Sequence, residues 1–210
     1  GSTYNGRKCG TFGRFGGLSF NGNKIITTSG GGMLICENED DAKHALKLAT
    51  QAREPYPWYQ HEEIGYNYRM SNISAGIGRG QAKVLPLRVK QKQAIYARYS
   101  EKLGGLPLTM QPKLDCAEPN RWLSTILLDK GCKITPSDML VRLDENNIEG
   151  RHLWKPMNLQ PVFAECPFVS VDDSPVCDDL FSRGVCLPSD TKMTTDDIDR
   201  VCEVIRGMFR

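Results

Sequence analysis

Glycine recurs at positions 6, 10, 13, 16, 17, 22, 30, 31 and 32, and this punctuation cuts the start of the chain into short segments. Turns between short strands are the expected result. The spacing does not match GxGxxG, so no dinucleotide-binding loop is indicated. Among these glycines runs Ser19-Phe20-Asn21-Gly22-Asn23-Lys24, followed directly by Ile25-Ile26-Thr27-Thr28. Gly22 and its asparagines predict a turn, and residues 25–28 predict a buried strand. Together with residues 33–36 across Ser29-Gly30-Gly31-Gly32, they read as a strand pair joined by a tight turn. Lys24 then sits at the edge of an apolar strand. Burial disfavours an ammonium, and a neutral amine can attack a carbonyl. A solvated lysine beside a turn fits the same residues.

The chain has 210 residues, enough for one large domain or one and a half small ones. With 40% hydrophobic and 25% charged residues it falls in the ordinary globular range. Its 27 basic and 25 acidic residues leave a net charge of +2 with no like-charge block. That argues against a nucleic-acid or membrane-binding face. Apolar runs such as Ile126-Leu127-Leu128 are too short to cross a bilayer, and no secretion signal is evident. The eight cysteines contain no CxxC pair, and His44, His61 and His152 are scattered. They are read as reduced thiols of a cytoplasmic protein, without a metal site. The opening Gly1-Ser2-Thr3-Tyr4 carries no helix cap or earlier element, and reads as a chain cut within a fold or as a cloning remnant.

Asn38 predicts a helix cap, with Glu39, Asp40 and Asp41 in the first turn and an apolar stripe through Ala42, Ala45, Leu46, Ala49 and Ala52. Pro55 and Pro57 are expected to end it. The following loop holds Tyr56, Trp58, Tyr59, His61, Tyr66 and Tyr68, a composition suited to a binding surface. A second helix is expected from Ser71 or Asn72, broken or kinked at Pro86, and a further one over residues 87–103. A domain boundary is placed at 105/106. Beyond it, residues 122–129, 148–154 and 185–187 read as strands. Thr135-Pro136-Ser137-Asp138, Val176 and Thr194 with Asp197 open three helices. This describes a small α+β domain.

Three motifs carry a resemblance: the Ser19–Lys24 string with Gly30-Gly31-Gly32, then Gly65-Tyr66-Asn67-Tyr68-Arg69-Met70-Ser71-Asn72, and a C-terminal set. That set comprises Arg121-Trp122-Leu123, the string from Arg151-His152-Leu153-Trp154-Lys155-Pro156 to Pro161, and Cys186-Leu187-Pro188-Ser189. Over its whole length the chain resembles the DegT/DnrJ/EryC1/StrS family of sugar aminotransferases, in its branch making UDP-4-amino sugars of the bacillosamine type. The resemblance implies an α/β fold-type I transferase dependent on pyridoxal 5'-phosphate. Residues 1–105 would be the remaining part of the large cofactor domain, and residues 106–210 the small α+β C-terminal domain. Roughly the first half of a whole enzyme would precede Gly1. That half would supply the ring stacked on the cofactor, the acid paired with its pyridinium nitrogen, and phosphate-binding backbone.

By the same resemblance, Lys24 carries the cofactor covalently and moves the proton between cofactor and sugar. Ser19 binds the cofactor phosphate, and Asn67 reaches the phosphate in a neighbouring subunit, which implies a homodimer with shared active sites. Asn23, Arg69, Trp154, Lys155 and Asn158 fall near the substrate, a UDP-linked keto sugar, with an amino acid as donor. Many relatives carry a histidine where this chain has Asn158. Relatives that dehydrate sugars have a histidine in place of the lysine, and Lys24 argues against that chemistry. From the residues alone, Ser19 and Asn67 also fit turn positions, Arg69 an exposed loop arginine, and Trp154 core packing. A truncated, non-catalytic fragment serving only as a dimerising or folding unit is the competing expectation.

Overall fold

A computed structural model describes residues 1–171 and 175–210. Its elements, in chain order, are β1 (Thr3–Tyr4), β2 (Arg7–Lys8), β3 (Phe15–Ser19), β4 (Gly32–Cys36), α1 (Glu39–Ala49), α2 (Asn72–Lys102), β5 (Leu108–Met110), β6 (Ala117–Glu118), β7 (Ser124–Leu128), α3 (Pro136–Asp144), β8 (Arg151–His152), α4 (Val176–Arg183), β9 (Gly184–Leu187) and α5 (Thr195–Gly207). Two short 3-10 turns, Met157–Leu159 and Pro161–Phe163, follow β8. The chain divides into one unit of Gly1–Val89 with Leu114–Pro119, and another of Lys90–Lys113 with Asn120–Arg210. No helix among the described residues is long and apolar enough to cross a membrane. All eight cysteines are free thiols.

In the first unit, β1 pairs antiparallel with both β2 and β6, and β3 pairs antiparallel with β4 from Phe15↔Cys36 to Ser19↔Gly32. The strand expected over residues 25–28 is therefore absent, and β3 takes its place beside β4. Thr27 and Thr28 spend their hydrogen-bonding groups closing the loop onto Phe20 instead of extending a ladder. Gly16 lies where a Cβ would fall 1.8 Å from the Gly10 carbonyl oxygen, so no side chain fits there.

Helix α1 begins as its sequence dictates. The Asn38 side-chain oxygen accepts the N–H groups of Asp40 and Asp41 at 2.8 and 3.1 Å. It stops at Ala49, well before the prolines. Thr50 closes the last turn onto Leu46 and Lys47, and Gln51 (φ 69°) and Ala52 (φ 49°) then turn the chain through left-handed conformations. Helix α2 runs unbroken through Pro86. Proline there withholds one N–H from the helix, a loss of about 3 kcal/mol relative to alanine, and the long helical flanks outweigh it.

The second unit begins at Lys90, inside α2. Its sheet has the order β5-β7-β9-β8, antiparallel throughout. Ile95, Tyr99 and Leu103 from the end of α2 join a core with Ile126 and Leu128 of β7, Met139 and Leu143 of α3, Val185 and Leu187 of β9, and Ile198, Val201 and Ile205 of α5. That shared burial assigns this half of α2 to the second unit. Thr135 with Asp138 and Thr194 with Asp197 form complete capping boxes, as their spacing predicts. The strand expected over 148–154 shrinks to Arg151–His152, paired to β9, while that over 122–129 shrinks to Ser124–Leu128. Arg98 grips Asp199 with Nε at 2.8 Å and Nη2 at 2.5 Å, pinning α2 to α5.

Candidate active site

Because Ser19 pairs with Gly32, residues 20–31 form a loop hung between two hydrogen-bonded strands. One residue closes it. The Phe20 N–H donates to the Gly31 carbonyl at 3.0 Å, and the Phe20 carbonyl accepts from the Thr28 N–H and Thr27 hydroxyl, each at 3.0 Å. Thr27 Oγ1 in turn accepts the Ser29 N–H at 2.9 Å, and the Thr28 hydroxyl donates to the Gly30 carbonyl. Inside this frame the Lys24 N–H donates to the Asn21 carbonyl at 3.1 Å, a tight turn that holds Lys24 half-buried. Ser19 Oγ accepts the Asn21 N–H, and Asn21 Nδ2 donates to Asn23 Oδ1, both at 3.4 Å. Asn23 and Lys24 thus share one braced loop that leaves β3 at Ser19, with Lys24 in a turn and not on a strand.

Small residues seat that loop. Gly31 adopts φ 91°, and a Cβ on it would lie 2.9 Å from the Met70 methyl, while a Cβ on Gly78 of α2 would lie 3.0 Å from buried Thr28. Met70 also brings the neighbouring segment alongside. There Tyr66 and Tyr68 donate their N–H groups to Leu48 and Ala49 at the end of α1, at 2.7 and 3.0 Å, and Thr50 pairs with Asn67. Gly65 is required at this approach, because a Cβ would fall 2.3 Å from the Ala52 nitrogen. Asn67 and Arg69 are exposed, and the Tyr66 and Tyr68 rings stack at 5.0 Å. At the neck of the aromatic loop, Lys47 bridges Glu54 at 2.6 Å and Glu63 at 2.9 Å. These carboxylates raise the Lys47 pKa, and His44 and then Lys47 pull the Glu63 carboxyl below its usual range.

Trp154, Lys155 and Asn158 lie in the second unit. Trp154 is 64% exposed, with its ring 5.9 Å from that of Trp122, and Lys155 is exposed as well. Asn158 is engaged elsewhere: Nδ2 donates to both carboxylate oxygens of Asp178, at 3.1 and 3.2 Å, in the first turn of α4. One C-terminal motif, Cys186-Leu187-Pro188-Ser189, is framework. Ser189 Oγ accepts the Ser124 N–H at 2.9 Å and donates to the Leu187 carbonyl at 3.0 Å, locking β7 to β9. Its carbonyl accepts a hydrogen bond from the buried Lys92 ammonium, whose pKa is lowered by burial. Lys92 had not stood out as a residue of interest. Its signal was available, since it precedes Ile95 and Tyr99 by three and seven positions, on the buried stripe of α2.

The fold is one shared with solved sugar aminotransferases. A sequence profile of the DegT/DnrJ/EryC1/StrS aminotransferase family matches residues 1–206, and the chain belongs to that family. It is 51% identical over its full length to EpsN of Bacillus subtilis (strain 168), which its name assigns to the pyridoxal phosphate-dependent aminotransferases, and covers 54% of that protein. It is 30% identical to GDP-perosamine synthase of Vibrio cholerae, covering all of this chain and 56% of that one. Spr1654 of Streptococcus pneumoniae, described as a sugar aminotransferase and solved in its PLP-form, superposes on 99% of the chain with a TM-score of 0.87 at 22% identity, over 54% of its own length. The chain spans about half the length of the curated relatives it matches. The family's cofactor is pyridoxal 5'-phosphate. The donor set fits it: the loop offers a primary amine suited to an aldehyde, and Ser19, at the strand end leading into it, a hydroxyl suited to a phosphate oxygen.

Proposed function

We propose that the chain is the C-terminal portion of an aminotransferase that moves an amino group, from glutamate, to the 4-keto carbon of a UDP-linked deoxysugar for glycan or exopolysaccharide synthesis. The observation that carries this reading is Lys24, half-buried in the Phe20-braced loop of a chain of this family. When bound, pyridoxal phosphate supplies an aldehyde for that amine and a ring that takes up electron density. Lys24 would accept at Nζ a proton released on the cofactor side and deliver it to the sugar carbon that gains nitrogen. Ser19 holds a phosphate oxygen, and Asn67 does the same for the site of a second subunit in a homodimer. Asn23, Arg69, Trp154 and Lys155 orient the sugar nucleotide. The Asn158 amide, given to Asp178, steadies the segment that carries Trp154 and Lys155.

Borohydride reduction of the full-length polypeptide with pyridoxal phosphate, followed by peptide mass spectrometry, tests this. The label is expected on Lys24. A label on another lysine, or none, overturns the proposal. One observation favours a second reading, a non-catalytic fragment: the first unit leaves large apolar side chains such as Phe15, Met33 and Leu34 of its β3–β4 pair exposed. If the 210-residue chain retains no cofactor while a longer polypeptide does, the fragment reading holds for the shorter one.

A further inference from the structure

Arg121 adopts φ 50°, in the left-handed region that costs a residue with a long side chain about 1 kcal/mol or more. Its surroundings hold it there. Asn120 Oδ1 accepts the Trp122 N–H at 3.0 Å, closing a turn around Arg121. The guanidinium carbon lies 3.7 Å from the centroid of the Tyr96 ring, and Nη1 donates to the carbonyls of Gln111 and Pro112 at 3.1 and 3.4 Å. Tyr96 donates its own hydroxyl to the same Gln111 carbonyl at 2.6 Å, so one acceptor fastens both partners of the stack. Arg121 itself is buried. This anchoring explains why arginine occupies a backbone position that glycine would fill without strain.

The next residue is Trp122, whose indole sits 5.9 Å from that of Trp154 at 34°. Trp122 is half-buried, and Trp154 stands out into solvent beside Lys155. The direction in which the Trp122 side chain leaves the backbone follows from the left-handed turn before it. We propose that Arg121 is a positioning residue: by holding that turn it sets Trp122 against Trp154, and so fixes the face that Trp154 offers to the nucleotide sugar. The geometric half stands on its own, and the substrate half rests on the function proposed above.

Two indoles this close couple their electronic transitions and give an exciton couplet in far-ultraviolet circular dichroism. In the full-length polypeptide, Arg121→Lys keeps the charge but loses the planar stack on Tyr96. It is expected to lose at least about half of the couplet and to raise KM for a UDP-4-keto-6-deoxyhexose about tenfold, with kcat changed less than about twofold and KM for glutamate unmoved. Trp122→Phe, which leaves Arg121 in place, should abolish the couplet and give the same rise in KM, and the double variant should be no worse than either single one. A wild-type couplet in Arg121→Lys overturns the proposal, even if Tm falls. So does an unchanged KM in Trp122→Phe. Absence of turnover in the unsubstituted full-length polypeptide marks failure of the aminotransferase reading and of the substrate half, and the couplet then decides the geometric half alone.

Discussion

Replacing Lys24 by alanine takes away the amine and leaves the Phe20 brace, the Thr27 and Thr28 bonds and the β3–β4 register in place. In the full-length polypeptide we expect a folded protein with kcat for the proposed transamination lowered about 10²–10⁴-fold, the range of a positioned acid–base group, measured as initial rates beside an unchanged circular dichroism spectrum. Gly16→Ala is expected to do the reverse, damaging the fold without touching chemistry. Its methyl would meet a backbone oxygen at 1.8 Å, and urea unfolding should show a loss of about 1–3 kcal/mol or more. The turn that carries Lys24 was legible because Gly22 and its flanking asparagines are a local pattern. The grip of Asn158 on Asp178 was not, since the two stand 20 residues apart and nothing near either announces the other. Arg121 was visible as part of a motif, but its left-handed backbone and its seat on Tyr96 depend on a segment folded from elsewhere.

Among the elements, the capped helices were readable and one strand was not. A capping box is settled within four residues, whereas the fate of residues 25–28 turned on whether the threonines joined a ladder or closed a loop. Thr194→Ala opens the cap of α5 and should cost about 1 kcal/mol, read as a lower Tm. At the junction of α2 and α5, hydrogen bonding from Arg98 holds the Asp199 carboxyl below its ordinary value of 3.8. A carboxyl lowered in the folded state adds stability that is fully present above the unfolded value and fades as pH falls through the folded one. Urea unfolding from pH 7 to pH 3 should therefore show a smaller acid-side loss in Asp199→Asn than in the unsubstituted protein, with the variant less stable at neutral pH. An equal slope in both would contradict this assignment.

For the chain as a whole, the two units differ in what they bury. The second gathers its core from five elements, β7 and β9 among them, while in the first the side chains withdrawn from water are small ones such as Ala52 and Thr28. Hydrogen exchange of the 210-residue chain should therefore show slow amides in β7, β9 and α5 and fast ones in β3 and β4, and equal protection would count against the division. The overall fold class was legible from long motifs in a fixed order. The division at Val89/Lys90 was not, because no change of composition marks the middle of a continuous helix. Trp58, Tyr59 and Tyr68 stand 59%, 74% and 76% exposed, in a molecule whose formal charge is only +2. Sticky rings and feeble mutual repulsion make a poor colloid, so concentrated stocks of this polypeptide by itself should cloud and precipitate near its sequence pI of about 8.1.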